Sequence, residues 1–302
     1  MLTILTKVSA FVFIIVMAFG LRRKGFFREH EFKLISNMVL KITLPCAVIS
    51  NFSRIGVKTS LLQLIVLGVI CNLVTIALGY IFAYRGGRKE QAFNMINCSG
   101  YNIGCFTMPY IQSFLGPAGV VATCLFDAGN SLLCTGATYS MAAAVAGTGE
   151  RSTPSLFFRR MFTSVAMDTY IVMVVLSVLS VRLPAIVLSF ADTVGGANAF
   201  LAMVMIGMGF EVHLNHRQLR RIGCILLMRY LIAGVLAWLF YRYAPFGMDI
   251  RKLLVLIMFA PVSAVCAIFT AKCKGDVALS CTINSFTIVI SIVIMTALMI
   301  VL

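Results

Sequence analysis

Ser99-Gly100-Tyr101-Asn102-Ile103-Gly104-Cys105-Phe106-Thr107-Met108-Pro109 interrupts what is otherwise one apolar run, with residues 92–96 before it and 110–115 after it. Gly100 and Gly104 weaken a helix, and Pro109 has no amide to bond back to the carbonyl of Cys105. In hydrocarbon a freed carbonyl finds no water, so such a break persists only inside protein or beside a wet cavity. Ser99, Asn102, Thr107 and the loosened backbone then present polar groups at membrane depth, as in many transporter sites. The plainer alternative is a proline kink packed against neighbouring helices.

Composition sets the frame around this stretch. The 302 residues are 61% hydrophobic and 12% charged, with a mean hydropathy of +1.00. Soluble domains are nearer a quarter charged, and runs of about 20 apolar residues recur along the whole chain. The formal charge of +15 falls in short Lys/Arg clusters between apolar runs. That pattern sets membrane topology and excludes nucleic acid as a partner. The 10 cysteines lie mostly inside apolar runs and form no CxxC, so they read as buried thiols without disulfide or metal roles.

Ten spans are expected, at residues 2–20, 32–52, 61–84, 91–115, 119–146, 161–181, 185–210, 222–243, 253–271 and 277–302. Arg22, Arg23 and Lys24 follow the first span where a signal peptide would carry its charge in front, so that span is retained. Odd-numbered connections hold 16 Lys and Arg, among them Arg85, Arg88, Lys89, Arg220 and Arg221; even-numbered ones hold 6, including Arg54 and Arg251. The positive-inside rule places the odd connections in the cytoplasm and both termini outside. The domain reading is residues 1–146 and 161–302 as two five-span halves, joined by a cytoplasmic connection at 147–160. An odd number of spans per half makes similar halves inverted repeats. Phe106-Thr107-Met108-Pro109 precedes a span with Asp127 and Asn130-Ser131; Phe259-Ala260-Pro261 precedes Gly275-Asp276 and then Asn284-Ser285.

These residues, with Phe114-Leu115-Gly116, Phe126-Asp127-Ala128-Gly129-Asn130 and Thr43-Leu44-Pro45, resemble the auxin efflux carrier family of membrane transport proteins. The resemblance covers essentially the whole chain. It implies an all-α membrane protein of ten transmembrane helices as two inverted five-helix repeats. The broken crossover helices 4 and 9 would meet near the bilayer centre, as in bile acid/sodium symporters. It also implies transport of organic anions. The short central connection lacks the long cytoplasmic loop of many plant members, which disfavours auxin itself.

The expected substrate-binding set is Asn102, Gly104, Thr107, Pro109, Pro261, Ser263 and Arg229. Half-helix N-termini suit a carboxylate and unwound carbonyls suit a cation. A guanidinium at Arg229 holds a carboxylate bidentately, or else pairs with an interior acid or snorkels toward Arg220 and Arg221. The expected ion-coupling set is Asp127, Asn130, Asp276 and Asn284. A charge at membrane depth costs about 2.5–3.5 kcal/mol, which turns Asp127 inward as a proton or sodium carrier or as a hydrogen-bonded structural group. His213-Leu214-Asn215-His216 has metal-like spacing but no third ligand, and reads as a solvated connection.

The expected function is secondary active transport of small organic anions by alternating access. H+ or Na+ is the coupling ion, with no cofactor and no metal. Partners are the anion, the lipid bilayer and a second copy in a homodimer, and the location is the plasma membrane. No GxxxxGK[ST] run points to ATP as direct energy source. An uncoupled facilitator or channel-like pore is the alternative. An intramembrane enzyme lacks support because no HExxH occurs and the histidines lie in connections.

Overall fold

Main-chain groups in lipid must bond within their own segment, and the described residues of the computed structural model form helices and no strand. They comprise 2–55, 59–148, 164–212 and 216–302. In chain order the helices are α1 (Leu2–Arg23), α2 (Glu29–Met38), α3 (Leu44–Arg54), α4 (Gln63–Phe82), α5 (Arg88–Cys98), α6 (Met108–Phe114), α7 (Gly116–Leu132), α8 (Thr138–Ala146) and α9 (Val165–Val178). There follow α10 (Ala185–Gly196), α11 (Asn198–Met208), α12 (His216–Tyr243), α13 (Met248–Met258), α14 (Val265–Lys272) and α15 (Val277–Val301).

Six helical rods among the described residues are long and apolar enough to cross a bilayer: Leu2–Arg23, His30–Arg54, Thr59–Phe82, Ala185–Met208, Gln218–Tyr243 and Val277–Val301. The remaining apolar stretches are built differently. At 11 residues each, α5 and α13 run about 16 Å, half of a hydrocarbon core of about 30 Å. A π-turn at Leu133–Ala137 joins α7 to α8. The expected sixth span begins among residues outside the described set, and its described part holds the 14-residue α9.

Proline acts differently from the sequence-based expectation. Pro109 lies near the start of α6, directly after a π-turn at Ile103–Thr107 in which Met108 N–H donates to the Ile103 carbonyl. Widening to i→i−5 makes room for the ring and absorbs the lost amide. Thr43-Leu44-Pro45 repeats the device after the π-turn Val39–Thr43. The break itself falls earlier, at residues 99–102, where Gly100 adopts φ +73°. In the other broken helix Pro261 does lie inside the break, which spans 259–264.

Small residues set the packing distances. A Cβ on Gly68 of α4 would lie 2.2 Å from the Phe126 carbonyl oxygen, and one on Gly129 of α7 would lie 1.9 Å from that of Ile65. The backbones of α4 and α7 therefore touch, as membrane helices do across small residues. Gly207 brings α11 equally close to Ile15 of α1. One set of contacts joins α1 with α11, and α3 with α9 and α10; another joins α4, α5, α7 and α8. Both broken helices lie against each other, with α14 contacting α5.

Candidate functional site: the meeting of two broken helices

At the end of a helix the last carbonyls have no partner within it, and at membrane depth each must be met by another group. Where α5 stops, the Ser99 hydroxyl donates to the Met95 carbonyl at 2.6 Å, and the Cys266 thiol to that of Ile96 at 3.1 Å. The amide of Gly100 donates to Asn72 Oδ1 and that of Tyr101 to Asn130 Oδ1, both at 3.1 Å. Asn130 Nδ2 returns a bond to the Tyr101 carbonyl at 2.9 Å. The Asn102 amide then donates to the carbonyl of Pro261 at 2.9 Å. One break is thus hydrogen-bonded directly to the other. A Cβ on Gly100 would lie 3.3 Å from Ser263 Cβ, so the Ser263 side chain sits close over the Gly100 backbone.

The second break is held by fewer groups. The Val262 amide donates to Thr287 Oγ1 of α15 at 3.1 Å, and Tyr230 of α12 donates to the Thr287 carbonyl at 3.2 Å.

Arg229 of α12 fastens both. Its side chain donates to the carbonyls of Cys98 at 2.7 Å and of Gly100 and Ala260 at 3.0 Å. It lies over the Tyr101 ring, 5.4 Å from its centre, and is only 3% exposed. Helix C-termini carry partial negative charge, so α5 and α13 together present an acceptor for a cation where no carboxylate stands. Three charge-assisted bonds at about 1.5–3 kcal/mol each exceed the insertion cost of about 2.5–3.5 kcal/mol. Burial is therefore sustainable. Arg229 Nε–H has no partner among the described residues.

Asp127, 5% exposed, accepts from Asn130 Nδ2 and the Tyr170 hydroxyl at 2.8 Å each, and from Ser131 at 3.4 Å. It orients Asn130 and ties α7 to α9. Gly104 lies close by, since a Cβ there would be 3.9 Å from Asp127 Oδ2.

The expected residues thus separate. Asn102, Gly104, Thr107, Pro261, Ser263, Arg229, Asp127 and Asn130 gather at the crossing. Thr107 is committed there, donating to the Asn102 carbonyl at 3.2 Å. Arg229 neither snorkels nor pairs with an acid; carbonyls take most of its donors. The side chains of Asn102 and Ser263 make no hydrogen bond among the described residues, and Ser263, Gly104 and Cys105 are half-buried rather than sealed. Pro109 stands beyond the π-turn. Asp276 is at the far end of α15, capping the Leu279 amide at 3.0 Å and accepting from Gln218 at 2.7 Å. Eleven residues separate it from Thr287, about 16 Å along the axis. Asn284 is one turn before Thr287, with its Oδ1 unpartnered among the described residues. His213 falls outside the described residues.

Sequence reasoning missed Asn72, Thr287 and Tyr170. Asn72 left a signal, a carboxamide inside the apolar run 61–84. Thr287 and Tyr170 left little, because a hydroxyl in an apolar helix commonly bonds back to its own backbone. At the second break it is Thr287, and not Asn284, that meets the broken backbone.

Residues 3–155, just over half of the chain, match the family described as membrane transport protein. The chain belongs to the auxin efflux carrier family of membrane transport proteins. Several apolar helices and this membership make it a multi-pass membrane protein of a transporter family. The part matched to the auxin efflux carrier family contains the first break, Asn72, Asp127 and Asn130. No curated protein matches the chain.

Proposed function

We propose that the chain is a secondary active carrier of small organic anions such as carboxylates, whose substrate sits where the two breaks meet. In this reading the ten apolar stretches are ten crossings, arranged as two inverted five-helix repeats in the plasma membrane with both termini outside. The observation that carries it is the Asn102 amide bonded to the Pro261 carbonyl, beside two polar side chains, Asn102 and Ser263, that make no hydrogen bond among the described residues. The first turns at Ile103 and Val265 start at this point. The Ile103 amide donates to the Tyr101 carbonyl and the Cys266 amide to that of Ser263, and the partial positive charge of the two helix starts suits a carboxylate. Arg229 neutralises the opposite ends, so they do not repel the anion.

Coupling to H+ or Na+ is assigned to Asp127 with Asn130. An uncoupled facilitator is the second reading, favoured by one fact: Asp127 is already held by neutral donors. Purified protein in liposomes, loaded with a series of carboxylates and given imposed proton or sodium gradients, tests both. Accumulation driven by one gradient is expected. Flux that ignores both gradients supports the facilitator, and absence of flux for every carboxylate refutes the anion site. Asn102→Ala should lower flux about ten- to a hundredfold, as expected for losing a hydrogen bond to a charged ligand, with thermal stability unchanged.

A further inference from the structure

A second binding surface lies away from the crossing, where α1 and α15 face the bilayer. An apolar groove of about 280 Å³ is lined by Val12, Val16 and Phe19 of α1 and by Val289, Ile292 and Val293 of α15, with no polar residue among its walls. Val16, Val289 and Val293 are 60%, 46% and 64% exposed, so the groove opens sideways to lipid. At the Arg22 end of α1 it meets a cavity of about 420 Å³ lined by Arg22, Arg23 and Glu211, and the two share Phe19 and Phe210. Those rings stand edge to face, 5.6 Å apart, between the apolar and the charged compartments.

The charge in the upper compartment is unbalanced. Arg22 is spent on Glu211 at 2.6 Å and on the Met208 carbonyl at 2.7 Å. Arg23 lies over Phe19, 5.1 Å from the ring centre, and forms no ion pair among the described residues. Lys24 follows it, exposed. The walls thus offer an apolar slot along α1 that ends in cations, and Val12 to Arg23 measures about 16 Å.

We propose that this paired groove and cavity is a binding site for an anionic phospholipid, its phosphate at Arg23 and one acyl chain laid between α1 and α15. A bilayer lipid fits because the slot is open along its length to the hydrocarbon and cationic only at the helix end, where headgroups lie. The site depends on membrane embedding and on no feature of transport, so flux and lipid binding can fail independently.

Native mass spectrometry of the purified protein, with phosphatidylglycerol or phosphatidylcholine added to the detergent, tests it. Phosphatidylglycerol should be retained and phosphatidylcholine lost. Arg23→Gln should weaken retention about fivefold, as for one cation at a lipid surface. Val289→Trp should fill the slot and weaken it further, with Val293→Phe in its place if the first fails to fold. Arg85→Gln, on another basic connection, should change nothing. Equal retention of both lipids, indifference to both site substitutions, or full displacement by inorganic phosphate would overturn the proposal. So would a dimer that Val289→Trp dissociates, because the groove would then be an interface between copies.

Discussion

The two breaks are made and held in different ways. In the first, glycine permits the turn, and two carboxamides from neighbouring rods, Asn72 and Asn130, meet three main-chain groups of Gly100 and Tyr101. In the second, proline makes the turn, and one threonine hydroxyl meets the single amide of Val262. Asn130 is in turn fixed by Asp127, which is fixed by Tyr170; among the described residues Thr287 has behind it its own helix and Tyr230. A network whose members orient one another is stiffer than a single bond. The first break is thus a rigid cradle and the second a lighter hinge, with Ser263 half-buried and Ala264 exposed. Arg229 bridges this inequality by serving both.

Substitutions ranked by expected effect test this contrast. Arg229→Met should be the most damaging, because it orphans the carbonyls of Cys98, Gly100 and Ala260 at about 1–3 kcal/mol each. Thermal unfolding in detergent should show a loss of about 3 kcal/mol or more, with Arg229→Lys recovering part of it. A Met variant that keeps its stability would show that the two helix ends need no shared cation. Asn130→Ala comes next, at about 2 kcal/mol, several bonds at the average of about 0.6 kcal/mol measured in membranes. Thr287→Val removes the bond from the Val262 amide and the back-bond to the Asn284 carbonyl and should cost about 1 kcal/mol. If Thr287→Val proves as costly as Asn130→Ala, the breaks are equally held and the cradle-and-hinge distinction is wrong. Asp127→Asn keeps one acceptor oxygen where Tyr170 and Asn130 use two, so it should cost one bond, about 0.6 kcal/mol. Its readout is the ion dependence of flux in liposomes, which should vanish; unchanged dependence on both ions removes Asp127 from coupling.

The sequence showed where to look and less of what holds the site together. The run from Ser99 to Pro109 was legible because glycine and proline in an apolar helix have few other uses. Its detail was not: Pro109 forbids only one amide, and a π-turn absorbs that loss, so the chain parts at Gly100. The six full-length rods followed from apolar length alone. The role of Arg229 was hidden because its partners are carbonyls, which every residue has. For a related reason, the likeness of Asn130-Ser131 to Asn284-Ser285 did not point to Thr287. Accepting a bond from a broken backbone needs an oxygen, not a particular residue, and Thr287 supplies one a turn later. Asp276, expected in the ion-coupling set, caps the start of α15, a role that its spacing after Pro261 did not reveal.

A single guanidinium gripping the ends of both half-helices has a kinematic consequence. Neither α5 nor α13 can swing away while the other stays, unless Arg229 gives up its bonds to one side in a non-aqueous interior, two at Cys98 and Gly100 or one at Ala260. Motion that keeps the clasp shut moves α5, α12 and α13 together as one block. Under the carrier function proposed above, a cargo lodged between the breaks would keep both of them as neighbours for as long as the clasp holds.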